Sequence, residues 1–379
     1  MASWTKDSAF FTRVFLLFNF FVNWYQESAS ATLRLNRTFR PMYPLLRRAV
    51  KHIKTFFIYV LYMANMNTVL PNGTADLYLT DGGLETTLVF LEGYELPCFA
   101  AFDLLKDEKG YHVLRDYYRR YLNISREFGM GFILESPTWR ANPDWIERIG
   151  YPGSAIADVN EKAVQLLADL KKEFENDIGN IVISGCVGPR GDGYVPEHVM
   201  TAEEAQKYHA AQIAVFSRTP VDIVSAITMN YVEEAIGIAL ASAAVGLPVV
   251  ISFTVETDGK LPTGMSLKEA INQVDKNVAQ PPLYFMINCA HPNHFFNELE
   301  SGRNEYWTKR IRGLRANASC KSHAELDEAT ELDRGSPQDL AIEHKRLKDV
   351  FSQLNVFGGC CGTDEEHVIA IAGQIKASS

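Results

Sequence analysis

The sequence predicts a (β/α)8 barrel over residues 63–379, preceded by a segment, residues 1–62, of a different kind. Two observations carry the barrel. From Leu77 onward, short runs rich in Val, Ile, Leu and Phe alternate with amphipathic stretches, and eight such runs fit at about 40 residues per unit, the room needed for a strand, a helix and two loops. The rival architecture, a doubly wound open sheet, would carry a glycine-rich phosphate fingerprint directly after its first strand. Here the first strand runs into Asp81, Gly82, Gly83, Leu84 and Glu85, with no G-x-G-x-x-G.

The strands are expected at Leu77–Thr80, Gly131–Glu135, Ile181–Cys186, Asp222–Ala226, Pro248–Phe253, Leu283–Asn288, Ile311–Ala316 and Asn355–Gly358. The general pattern is a short apolar run, then Gly, Pro or Asn punctuation, then an amphipathic stretch. Between them the apolar residues recur at helical spacing in Tyr111–Phe128, Ala155–Phe174, Ala202–Ser217, Val232–Val245, Leu267–Val278 and Gln338–Gln353. Chemistry in such a barrel gathers at the C-terminal ends of the strands.

The net charge of −9 divides into +7 for residues 1–62 and −16 for the remainder. Residues 1–62 also hold 15 of the 43 aromatic residues and no glycine, whereas all 25 glycines lie at Gly73 or beyond. Phe10–Tyr25 is apolar but interrupted by Arg13, and its 16 residues fall short of the roughly 20 that span a bilayer. The Arg-rich stretch Leu33–Lys54 has the composition of a targeting peptide or a membrane-surface helix. The favoured reading is that translation begins at Met63 or Met66 and that the upstream residues are an extension with little role in the fold. Membrane contact is expected only through that segment. The acidic balance of the remainder argues against nucleic acid as a partner.

Three of the six cysteines fall at strand ends: Cys289 after strand six, and Cys360 with Cys361 after strand eight. In a barrel these ends are near enough for three sulfurs to meet at one zinc ion, and three protein ligands leave a position open for water or substrate. Gly358, Gly359 and Gly362 would let neighbouring side chains reach one metal. A vicinal disulfide and a phosphate-cradling loop stay open as readings of the Cys-Cys pair. Cys98, Cys186 and Cys320 read as small buried hydrophobes. His291 and His294 lie near the site but read as surface or supporting groups.

Four motifs, TDGGLET after strand one, GPRGDGY after strand three, NCAHP at strand six and GGCCGTD at strand eight, together resemble the zinc-dependent homocysteine S-methyltransferases over about Asp76–Ala377. The resemblance implies that Cys289, Cys360 and Cys361 bind one Zn2+ and that the substrate thiol is its fourth ligand. It implies methyl transfer from a cationic donor, S-methylmethionine or S-adenosylmethionine, to homocysteine, giving methionine. It also places Asp81, with the Gly82 and Gly83 backbone, at the amino-acid part of homocysteine. Glu135 is a second acidic candidate, Asn288 orients the loop of Cys289, and Thr228, Thr254 and Glu256 line the mouth. Gly188, Pro189 and Arg190 shape a loop in which Arg190 is a candidate for a substrate carboxylate.

One departure bears on the substrate. Where the family commonly places a glutamate at the end of strand four, this chain has Ala226, Ile227 and Thr228, and Glu256 or Glu135 is expected to substitute. A different thiol or selenol acceptor is therefore the alternative within enzymes. A non-catalytic zinc-binding or vicinal-dithiol redox barrel is the alternative outside them. Zinc thiolates point to a reducing compartment, the cytoplasm.

Overall fold

A computed structural model of the chain describes residues 68–196 and 199–377, all within the second of two compact units, Thr55–Ser379. The reading of residues 1–62 lies outside the described residues. Eight parallel strands close into a barrel in sequence order: β1 (Tyr78–Leu79), β2 (Gly131–Glu135), β3 (Ile181–Val187), β4 (Ile223–Met229), β5 (Val249–Phe253), β6 (Phe285–Asn288), β7 (Ile311–Ala316) and β8 (Val356–Gly359). Closure is made by β1 against β8, where Tyr78 pairs with Val356 and Leu79 with Phe357.

A helix follows each strand: α1 (Glu108–Phe128), α2 (Ile156–Phe174), α3 (Ala202–Phe216), α4 (Val232–Val245), α5 (Leu267–Asn277), α6 (Pro292–Ser301), α7 (Pro337–Val350) and α8 (Glu365–Lys376). Their ends follow local chemistry. Asp107 caps α1 by accepting from the Gly110 N–H, and Gly129 stops it in the left-handed conformation. Thr201 with Glu204, and Ser266 with Glu269, form capping boxes that start α3 and α5.

The period-two alternation of the strands separates two cores. Tyr78, Ile133, Val182, Ile223, Val250, Tyr284, Met286 and Val356 cluster inside the barrel. Their outward neighbours, including Phe132, Leu134, Ile183, Val224, Ile251 and Phe285, join the helices in a larger second cluster. Toward the C-terminal ends the inward positions turn polar: Glu135, Ser184, Ser225, Ser252, Asn288 and Arg315 are all buried. Sequence order and strand pleat thus put a polar layer directly beneath the mouth.

Two of the eight helices that follow the strands lie outside the expected set. α6 and α8 were hidden in short segments whose apolar spacing is weak, yet both carry a start signal: His291 then Pro292 opens α6, and Asp364 caps α8 with His367 bonding back to it. β4 also runs past Ala226, because a register shift against β5 between Ala226 and Met229 lets pairing resume. Thr228, inside that shift, has φ +66°. Among the described residues no helix is long and apolar enough to cross a membrane.

The two-layer core makes a stability prediction. Leu134 is buried between barrel and helices, whereas Ile369 on α8 is 45% exposed. Leu134→Ala is expected to cost about 2–5 kcal/mol and Ile369→Ala under about 0.5 kcal/mol, read as shifts in the urea midpoint of the full chain.

Candidate active site

The mouth of the barrel holds a cavity of about 380 Å³. Cys289, Cys360 and Cys361 share one wall, with their sulfurs all within 4.8 Å of one another. Asp81, Gly82, Gly83, Glu135 and Thr228 also line it.

Local structure fixes each cysteine. Cys289 follows β6 with φ +52°, a left-handed backbone that disfavours any side chain. Asn288 offsets that strain. Its Oδ1 accepts from the Thr228 N–H at 3.1 Å and the Ser252 hydroxyl at 2.6 Å, while its Nδ2 donates to Thr228 Oγ1 at 2.9 Å and Cys289 Sγ at 3.1 Å. One buried amide therefore holds both left-handed residues. Asn288 and Glu256 do not themselves line the cavity, and neither does Thr254.

Cys360 and Cys361 sit in the turn after β8, clamped from both sides. Cys360 N–H donates to the Ala316 carbonyl at 2.8 Å, and the Cys361 carbonyl accepts from Ala318 N–H at 3.1 Å. A Cβ on Gly83 would stand 2.5 Å from the Cys360 carbonyl oxygen, so the β1 turn lies backbone-to-backbone against the cysteine turn. Gly362 completes the turn at φ +79°.

The three thiols form one hydrogen-bonded set, with Cys289 and Cys360 sulfurs 2.6 Å apart. Hydrogen bonds from Cys289 and Cys360, aided by Tyr194, hold Cys361 well below the usual thiol range. Hydrogen bonding to Cys360 and Cys361, together with burial, pushes Cys289 up. Cys360 is raised to about 12, a hydrogen bond from Cys289 pulling it down but one to Cys361 and burial outweighing it. Full ionisation of the set needs a cation. Soft sulfur donors suit zinc, and a zinc tetrahedron with bonds of about 2.3 Å would spread the Cys289 and Cys360 sulfurs from 2.6 Å to about 3.8 Å. Among the described residues no histidine or carboxylate joins the cluster. His291 Nδ1 accepts from the Asn293 N–H, and His294 Nε2 bonds the Cys320 carbonyl.

The acidic candidates turn out to be committed. Arg315, buried at the end of β7, bonds Asp81 Oδ1 at 2.6 Å through Nη2, Glu135 through Nη1, and the Gly359 carbonyl at 3.2 Å through Nε. Asp81 Oδ2 also accepts from the Tyr117 hydroxyl at 3.2 Å. Burial raises the Asp81 carboxyl, with Arg315 opposing it. Glu256 Oε1 lies 3.2 Å from His323 Nδ1 with its side chain partly exposed, and His323 Nε2 reaches the Cys289 carbonyl at 2.6 Å. Of the two candidates for the missing strand-four glutamate, Glu135 lines the cavity bonded to a guanidinium, and Glu256 does not line it. Arg190 is likewise turned away, paired with Asp144 at 2.8 Å over the Tyr208 ring. Cys98 and Cys320 are exposed, so only Cys186 is the buried hydrophobe expected of all three.

Several cavity residues had gone unread. Tyr194, the last residue of GPRGDGY, places its hydroxyl 3.6 Å from Cys361 Sγ and stacks on His323 at 4.0 Å between ring centres. Burial, then the nearby sulfurs, push its phenol well above the ordinary value, so it stays a donor. Glu85 and Arg140 also line the cavity. Glu85 belonged to a quoted motif, and Arg315 occupied a strand end; attention to charged residues at both places would have found them.

A family model described as homocysteine S-methyltransferase matches residues 78–375. The chain belongs to the homocysteine S-methyltransferase family. Among curated relatives, betaine–homocysteine S-methyltransferase 1 of Danio rerio is 23% identical over 280 residues, 70% of this chain, and the match spans 65% of that protein's length. The crystal structure of the Escherichia coli homocysteine methyltransferase MmuM in its metallated form shares the fold at TM-score 0.60 and 20% identity, covering 80% of this chain and 96% of that one. Its oxidized form matches at TM-score 0.61 and 18% identity, covering 82% and 98%.

Two predictions follow from the buried charges. Arg315→Met leaves Asp81 and Glu135 unpaired and is expected to destabilise the chain by about 3–5 kcal/mol, seen as a lower urea midpoint; Arg315→Lys is expected to recover only part, lacking the forked contact. Burial, reinforced by the charges of Asp81 and Cys360, raises Glu85 to about 7 from an ordinary 4.5. The folded chain thus binds the extra proton between these values, and stability falls as pH rises through that window. In metal-free protein, Glu85→Gln is expected to remove this slope, and equal slopes in variant and wild type would refute it.

Proposed function

We propose that the chain transfers a methyl group from a sulfonium donor, S-methylmethionine or S-adenosylmethionine, to the thiol of homocysteine, giving methionine, with one Zn2+ held by Cys289, Cys360 and Cys361. The observation that supports this is the convergence of three thiols within 4.8 Å on one wall of a closed-barrel cavity. Bound zinc would hold the acceptor sulfur as a thiolate at neutral pH, where a free thiol of pKa about 8.5 is mostly protonated.

The chain's own residues do the rest. Three cysteine thiolates outweigh a dication by one charge, which keeps the acceptor sulfur electron-rich. Tyr194 and Asn288 donate to the sulfurs of Cys361 and Cys289 and so fix their direction. Trp139, Phe90, Phe99 and Tyr194 line the cavity, and their ring faces suit a cationic methyl centre while keeping water out. In the displacement the new bond forms between methyl carbon and acceptor sulfur. The donor leaves with its bonding pair as a neutral thioether, and the acceptor's thiol proton goes to solvent on binding. The free thiols of the site call for a reducing compartment, so we place the reaction in the cytoplasm.

A different thiol or selenol acceptor is the second reading, favoured by Ile227 at the cavity edge where the family's glutamate is absent. One experiment separates the readings. The full chain is expected to bind about one zinc, as a three-cysteine site requires, and to form methionine from homocysteine with a sulfonium donor. Cys361→Ser is expected to lose both zinc and turnover. Zinc without methionine formation on any donor would favour the altered acceptor or a redox barrel, and absence of metal would overturn the mechanism.

A further inference from the structure

Among the charged residues that line the cavity, Glu85 and Arg140 stand out by their incomplete pairing. Glu85 lies in the helical turn Leu84–Thr86 directly after Gly83. Asp81 and Glu135 are bound to Arg315, but Glu85 has no ion pair among the described residues. Arg140 is stacked between Trp139 and Trp145, its guanidinium carbon 3.9 and 3.8 Å from the two ring centres. The rings cover both faces and leave the N–H edges to act. Nη1 donates to the Gly191 carbonyl at 2.9 Å, while Nε is buried with no partner. An unpartnered donor on a buried cation is costly unless a ligand completes it.

The two groups share the cavity without touching: burial lowers Arg140 to about 10, Asp192 and then Glu85 oppose that fall, and no ion pair joins Arg140 to either. An unpaired carboxylate and an incompletely paired guanidinium in one cavity match a zwitterion. A ligand with a single charge would satisfy one and strand the other. Glu85 also acts on Cys360 and Cys361, so it stands near the sulfur wall. In homocysteine three carbons separate sulfur from ammonium, a reach suited to that placement.

We propose that Glu85 and Arg140 form the α-amino-acid clamp of this chain, Glu85 taking the acceptor's ammonium and Arg140 its carboxylate. Glu85 thereby supplies, from the turn after β1, the carboxylate that Ile227 at the end of β4 lacks. The proposal rests on the homocysteine reading for the identity of the acceptor. It assigns specificity to residues that touch the substrate remote from its reacting sulfur.

The test is calorimetric titration of the zinc-loaded full chain with three thiols: L-homocysteine, 4-sulfanylbutanoate, which lacks the ammonium, and 3-aminopropane-1-thiol, which lacks the carboxylate. Glu85→Gln is expected to weaken L-homocysteine and the aminothiol by about tenfold to a hundredfold, the loss of one charged hydrogen bond, and to leave 4-sulfanylbutanoate unchanged. Arg140→Lys and Arg140→Met are expected to weaken L-homocysteine and 4-sulfanylbutanoate and to spare the aminothiol. Zinc content, measured for every variant, checks that the sulfur wall is intact. Equal weakening of all three thiols by Glu85→Gln, or no weakening, would overturn the clamp. A chain that shows the expected pattern but transfers no methyl group keeps the clamp and loses the methyl-transfer reading. One that methylates a thiol without binding L-homocysteine does the reverse.

Discussion

A single buried guanidinium organises the mouth of this barrel. Arg315 rises from β7, grips Asp81 beyond β1 and Glu135 at the end of β2, and bonds the Gly359 carbonyl of β8. It therefore ties the seam where the barrel closes to the strands on either side. Two carboxylates against one cation leave that layer with a net negative charge, immediately below three sulfurs that also carry negative charge when ionised. Such a stack, once ionised, needs a compensating cation above it.

The sulfur wall is held by a separate device. Asn288 uses its donor and acceptor ends to lock Thr228 and Cys289, both in left-handed backbone, from strands that are not neighbours in the sheet. The register shift in β4 and the strain at Cys289 are thus one feature viewed from two strands. His323 and Tyr194 add a stacked pair that braces Cys289 through its carbonyl and Cys361 through its sulfur.

Much of the architecture was legible in the sequence because strand and helix periods alternate cleanly, and because barrel topology brings the ends of β6 and β8 together without side-chain detail. α6 and α8 were missed since ten or twelve residues with scattered aromatics give weak periodicity, although Pro292 and Asp364 mark where they start. The partners of charged groups were not legible. That Asp81 and Glu135 would be spent on Arg315 depends on which inward positions of β2 and β7 reach the same height, a consequence of barrel stagger that no local motif encodes. Glu256 is outside the cavity lining for a similar reason: its partner is His323, from the loop after β7, at 3.2 Å.

The position of the cysteines along the chain has a consequence for biosynthesis. Two of the three sulfurs follow β8, the last strand to leave the ribosome, and β8 is also the strand that pairs with β1. A nascent chain translated only as far as Ala316 has seven strands and a gap, one of the three cysteines, and an Arg315 still lacking the Gly359 carbonyl. It cannot assemble the thiolate cluster. Completing the barrel and bringing the three thiols together are thereby one event.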